Sequence, residues 1–423
     1  MNRNNDRVVF FDNLRLFLVV CVVFQHVANA YNGLDWWPVA EAGAGLGVDW
    51  LAAVLDAFTM PLLFYVAGYF AVPTMEKRGF LSFVKGKLKR LGLPWLIILL
   101  TICPILPLVY HYTRDGMTLS ASYWEVWLDL FRNALRFEVG LINSTNELMI
   151  TNGFYQRYMW FLSVLIPFFL IFAVIYGLKR SWFARSALPI RPEPRSGGST
   201  LKLLLGVGAL TSVLSMGTVL IMFALTSGMT NPEPLVTLGN VIQFRLARMP
   251  LFIIYFGLGI ATYKYRWVER GRFPGHLGTW LAAFIGLLIP FLAAHYQMRH
   301  GPENLEELFG GLYFLVLNFL TMVSLGLFAS LAARYFNRPT PLNRNLTANS
   351  YNLYLTHYPF VIGFQLLLAA FPGTSSLAKF GLVAALSLAC AYLASEFLLR
   401  RHPKATAATA FGLLALMVLV IRV

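Results

Sequence analysis

Apolar residues run through this chain in blocks of about twenty, separated by shorter polar and basic connections. The blocks are Phe10 to Ala30, Trp50 to Ala71, Leu91 to His111, Tyr158 to Leu178, Leu203 to Leu225, Val241 to Tyr263, Leu277 to Met298, Gly311 to Ala333, Ala348 to Phe371 and Leu377 to Leu399. An α-helix rises 1.5 Å per residue, so ~20 residues cover a hydrocarbon core of ~30 Å. The pattern therefore predicts an all-α, polytopic transmembrane helix bundle of about ten helices. A weaker apolar stretch from about Ala405 to the end makes an eleventh if the tail crosses again, so residues 1–405 form one transmembrane domain and 406–423 a tail or extra helix.

Composition supports the same class. The chain is 58% hydrophobic and 13% charged, whereas soluble domains run at roughly 45–50% apolar and 25% charged. Arg15 and Gln25 interrupt the first block and no small-residue cleavage site follows it, so this block is expected to stay in place as helix one. Cys21, Cys103 and Cys390 all fall inside apolar blocks, which disfavours a disulfide framework or a Cys-rich metal site.

The formal net charge of +15 raises nucleic acid as a partner, and the placement of the basic residues argues against it. Lys77, Arg78, Lys85, Lys87, Lys89 and Arg90 share one connection, Lys179, Arg180, Arg185, Arg191, Arg195 and Lys202 another, and Lys264, Arg266, Arg270 and Arg272 a third. These alternate with connections that hold only Arg114, Arg132, Arg136, Arg157 and Arg299. By the positive-inside rule the N-terminus is cytoplasmic, and the charge faces anionic membrane lipid. The long outer connection, Tyr112 to Arg157, mixes Trp124 and Trp127 with Glu125, Asp129, Glu138 and Glu147 and suits an ordered loop that contacts sugar. The long inner one, Lys179 to Lys202, has the Pro, Gly and Ser composition of a linker.

Candidate chemistry begins in helix one. Arg15 and His26 are eleven residues apart, which is ~16.5 Å along the axis and only ~20° around it. An arginine near a bilayer centre costs about 2.5–3.5 kcal/mol on insertion scales, so both are candidates to face a cavity rather than lipid. The simpler readings are an ion pair of Arg15 with Asp12 and a hydrogen-bonded vestibule histidine at His26. In Phe80 to Pro94, Phe80, Leu81, Val84, Leu88 and Leu91 share a side, while Lys85, Lys87, Lys89 and Arg90 occupy the rest. That helix either anchors to anionic lipid or holds the phosphates of a cytoplasmic donor. Arg245 and Arg248, at the outer end of span six, either snorkel to the interface or line an anionic or sugar cavity. Span nine carries Tyr351, Tyr354 and Tyr358 on one face, together with a second intramembrane histidine, His357. Glu396 and Arg400 are spaced as a local ion pair, and the remaining histidines show no metal-like clustering.

The run Phe11-Asp-Asn-Leu-Arg15, ten residues and then His26 resembles the acyltransferase 3 family of membrane O-acyltransferases. Met60-Pro-Leu-Leu-Phe-Tyr-Val-Ala-Gly68-Tyr-Phe, the basic helix closed by Leu-Pro94, and Ser350-Tyr-Asn-Leu-Tyr-Leu-Thr-His357-Tyr-Pro resemble further family elements in the family's order. The form Asp-Asn-Leu-Arg is similar to the branch that succinylates periplasmic glucans. The resemblance implies a multi-pass protein of the bacterial inner membrane that transfers an acyl group from cytoplasmic acyl-CoA, without a metal, to a glycan acceptor. It casts His26 as general base or transient acyl carrier and Arg15 as orienting the donor or balancing charge along the path; beside it, Lys85, Lys87, Lys89 and Arg90 are the candidates for binding the donor, and Arg245, Arg248, Tyr351 and His357 for binding substrate. A transporter of an anionic or glycan substrate is the competing reading, since it too would place Arg and His in an intramembrane cavity.

Overall fold

The computed structural model describes residues 9–33, 36–41, 43–115, 121–142, 154–184, 197–225, 233–268 and 273–402. The Ala405 tail and most of the Arg191 to Thr200 stretch lie outside them. Every apolar block is helical over most of its length. In chain order the helices are α1 (Val9–Ala28), α2 (Leu46–Arg78), α3 (Phe80–Lys87), α4 (Leu93–Thr101), α5 (Ile105–Arg114) and α6 (Tyr123–Leu135). They continue as α7 (Trp160–Leu178), α8 (Gly197–Leu225), α9 (Met249–Lys264), α10 (Leu277–His300), α11 (Glu306–Tyr335), α12 (Pro341–Ala369) and α13 (Ser376–Leu393). Among the described residues eight helices are long and apolar enough to cross a membrane, or nine if the pair Phe80–Thr101 and Ile105–Arg114, bent by 41°, is one span. The one expected span left over, the ninth, lies within α12. This helix falls short of that apolar test because it carries Asn349, Ser350, His357 and Gln365, all fully buried against protein rather than exposed to lipid.

Successive helices return to alternate ends of the bundle. At the end holding Arg78 and Lys85, Asn13 donates to the Phe336 carbonyl; we call this the basic end. At the opposite end Lys379 pairs with Glu41 at 2.8 Å, both nearly fully buried, and Asp49 gathers His295 and Arg299. A small antiparallel sheet also sits there: β1 (Val139–Ile142), β2 (Leu235–Leu238) and β3 (Ile242–Arg245), in that order. The block expected from Val241 thus opens as a strand. Ile242, Gln243, Phe244 and Arg245 alternate with the period of two that suits a strand, and the helix begins only at Met249.

The centre of the bundle is the crossing of α2 and α9, which glycines make close. A Cβ on Gly68 would lie 2.0 Å from the Phe256 carbonyl oxygen, and one on Gly259 would lie 2.1 Å from that of Tyr65. Small residues at such crossings let helix backbones touch where lipid gives no hydrophobic drive for association. Gly68→Ala is therefore expected to force the backbones apart and cost about 1–3 kcal/mol or more, read as a lowered Tm of the detergent-solubilised protein. Pro61 inside α2 cannot donate to the Ala57 carbonyl, and the Thr321 hydroxyl of α11 donates to it instead at 2.8 Å, tying a third helix to the crossing.

Candidate functional site

Helices α1 and α12 run side by side in the same direction, so the face of α1 that carries Arg15 and His26 meets α12 at two levels. Near the basic end, Arg15 Nε donates to Ser350 Oγ at 3.1 Å and a terminal nitrogen donates to the Thr347 carbonyl at 3.2 Å. Asp12 lies 3.4 Å from the same guanidinium, so the ion pair with Asp12 and a contact across helices coexist.

Eleven residues further along, His26 Nδ1 is 2.8 Å from His357 Nε2, and His357 Nδ1 is 2.7 Å from the Tyr354 carbonyl. A carbonyl can only accept, so Nδ1 of His357 carries a hydrogen. With both rings neutral, Nε2 of His357 then accepts from His26 Nδ1–H, and the lone pair of His26 is left on Nε2. No hydrogen bond engages that nitrogen among the described residues. Aromatic rings hold the pair in place: Tyr358 stands edge-on to His26 with centroids 5.2 Å apart, Trp37 is 5.8 Å away, and Tyr158 stacks on Tyr358 at 4.0 Å. Trp37 is itself fixed through Gln365, whose side chain accepts from the indole and donates to the Val27 carbonyl.

At the basic end a cavity of about 350 Å³ opens between α1, α2, α3, α7 and α12. Arg15, Arg78, Lys87 and Arg90 line it together with a single carboxylate, Asp12. Its walls continue along Val19, Leu63, Phe161 and Leu162 to Tyr354, whose ring centroid is 5.8 Å from that of His357. Among the described residues no carboxylate pairs with Arg78, Lys87 or Arg90. Instead Lys87 Nζ sits 3.5 Å above the Phe169 ring, and the Arg90 guanidinium lies 4.9 Å from the Tyr351 ring centroid. Such faces attract a cation yet leave its hydrogens for a ligand. Local sequence explains the fit: Leu88–Gly92 forms a wider π turn, and Pro94 has no N–H to give the Arg90 carbonyl. The Tyr351 hydroxyl donates to that carbonyl.

A family model described as an acyltransferase domain matches residues 8–396. The chain belongs to the acyltransferase 3 family. No curated protein and no solved structure matches it. The protein is thus a membrane acyltransferase, and the sequence elements that resembled the family lie on the surfaces described above.

In this acyltransferase the basic helix divides. Lys87 and Arg90 turn into the cavity, whereas Lys85 and Lys89 are exposed and outside it, as are Phe80, Leu81 and Leu88. Of the apolar side only Leu91 is buried, together with Phe83, while Phe80, Leu81 and Leu88 stay exposed. Arg78 was read from sequence only as a topology charge. It joins the cavity because Gly86 leaves it room: a Cβ there would stand 3.1 Å from its guanidinium. Nothing in the linear spacing of α2 and α3 announces that meeting.

Arg245 and Arg248 are not in the cavity. Both bind Glu233, at 2.7 and 2.5 Å, and Arg248 also binds Asp56 at 2.6 Å. Asp56 accepts from Gln25, the residue beside His26, so the network braces the end of α1 opposite the basic end. Tyr351 serves the Arg90 turn, and His357 and Tyr358 surround His26. Arg15→Lys keeps a charge but loses the planar fork that spans Ser350 and Thr347. Its transfer rate is expected to fall by an order of magnitude or more in a steady-state assay with the protein still folded.

Proposed function

We propose that this acyltransferase moves an acetyl or succinyl group from cytoplasmic acyl-CoA to a hydroxyl of a cell-envelope or periplasmic glycan. The basic end then faces the cytoplasm of a bacterium and the histidines lie toward the outer side of its inner membrane. The observation that carries this reading is a cavity with three cations that pair with no carboxylate among the described residues at one end, and the His26–His357 pair one helical turn beyond the other. Phosphates want clustered, uncompensated cations, and an elongated acyl arm wants a channel with apolar walls.

The chemistry follows from the proton positions. His26 Nε2, a neutral imidazole lone pair, takes the proton of the acceptor hydroxyl as its oxygen attacks the thioester carbonyl. The C–O bond forms, the C–S bond breaks, and the proton passes from His26 to the departing thiolate. His357 Nε2 holds His26 Nδ1–H throughout and so stabilises the charge that appears on the ring. In this scheme Arg15, Arg78, Lys87 and Arg90 hold the donor and do not react.

The test is incorporation of a labelled acyl group into envelope glycan by the purified protein in liposomes, with acetyl-CoA and succinyl-CoA supplied in turn. Mass spectrometry of envelope glycans from cells with and without the gene identifies the acceptor. Transfer from neither donor, with the protein intact, overturns the reading.

A further inference from the structure

Helix α6 belongs to the connection expected to lie as an outer loop against sugar, yet its side chains fall on three distinct faces. Tyr123, Leu130 and the half-buried Val126, Trp127 and Ala134 turn to the protein. Glu125, Asp129, Arg132 and Arg136 fall within about 60° of one another on a second face. Trp124, Leu128, Phe131 and Leu135 fall within about 60° on the third. Among the described residues this last face meets no other element: Leu128 is 45% exposed and Leu135 70%.

The depth of the helix is fixed by its hydrogen bonds. The span from α3 to α5 breaks around Cys103 and Pro104, and the Leu100 and Thr101 carbonyls are left near the break. The Tyr123 hydroxyl lies 3.1 Å from the Thr101 carbonyl, and Trp127 Nε1 donates to that of Leu100 at 2.9 Å. Carbonyls inside hydrocarbon must find donors in protein, and α6 supplies these. Ten residues of α5 separate the break from Arg114, so the first turn of α6 sits about 10–15 Å below the end of that span. The neighbouring surface is lipid-like as well, since Leu93 and Leu96 of α4 are 50% and 44% exposed.

We infer that α6 is an interfacial helix sunk into the leaflet opposite the basic end, with Trp124, Leu128, Phe131 and Leu135 against lipid acyl chains. Its acidic and basic face looks to water, and Ser122 starts it with a capping box that holds the Glu125 carboxyl below the usual carboxylate range. The occupant is bilayer lipid because the apolar face continues that of a membrane-spanning helix and is anchored at its depth.

The experiment uses the full chain in liposomes. Cys21 and Cys103 are buried, so a Cys390→Ala background receives single cysteines by Leu128→Cys, Leu135→Cys, Asp129→Cys and Arg132→Cys, each carrying a small fluorophore. Brominated acyl chains are expected to quench positions 128 and 135 severalfold more than 129 and 132, and aqueous iodide the reverse. A second measurement needs no label: Trp124→Phe should reduce the quenching of intrinsic tryptophan emission by brominated lipid. Iodide quenching at 128 and 135 equal to that at 132, or protection of those positions by added glycan, returns the helix to a sugar-facing loop and overturns the inference.

Discussion

Replacing His26 by alanine is expected to lower kcat by about 10²–10⁴-fold, the usual worth of a positioned general base, while KM for the donor stays near its original value. The split follows from distance. The cations of the cavity gather at the basic end, where Arg15 stands eleven residues before His26 along α1, so donor binding does not pass through the imidazole. His357→Phe should give a smaller fall in kcat, because it removes the acceptor that fixes the His26 tautomer but leaves a lone pair that reaches Nε2 in part of the population. Size-exclusion behaviour and Tm would show both variants folded. Near-normal transfer by His26→Ala would end its assignment as base and pass the candidacy to His357.

The second large effect concerns the donor. Joint replacement of Lys87 and Arg90 by glutamate should raise KM for acyl-CoA by two orders of magnitude or more. A hydrogen bond to a charged group contributes about 1.5–3 kcal/mol, and each ~1.4 kcal/mol is a tenfold change in affinity. The matched control is glutamate at Lys85 and Lys89, which changes the net charge of the helix equally but touches no cavity wall. If the control pair raised KM as much, the cavity would not be the donor site, and the effect would belong to the membrane surface charge.

The sequence carries some of this on its surface and hides the rest. Span lengths, the shared face of Arg15 and His26, and the irregular polar content of the ninth block are one-dimensional facts, because helical period and hydrocarbon thickness are fixed numbers. The meeting of His26 with His357 joins positions 331 apart, and no periodicity within either helix encodes it. Lys85 and Lys87, two helical steps apart, must face roughly opposite ways, ~200° around the axis, but which of the two lines the cavity is set by packing partners that the linear spacing does not reveal. Arg245 and Arg248 looked available for substrate until Glu233 and Asp56, distant in the chain, arrived as partners. The small sheet was missed because an apolar block absorbed the short alternation of β3.

Helix α12 presents Ser350 to Arg15, Tyr351 to the Arg90 turn, Tyr354 to the cavity wall and His357 to His26, all within eight consecutive residues. The segment is thus far less tolerant of a change in length than of a change in side chain. Deleting one residue between Tyr351 and His357 would turn every later position by ~100° and draw it back by ~1.5 Å, swinging His357 away from its partner while leaving the Arg15 end untouched. Insertions and deletions there break the alignment of the His26 contact with the Arg15 contact, whereas a side-chain replacement at one of these positions disturbs that contact alone.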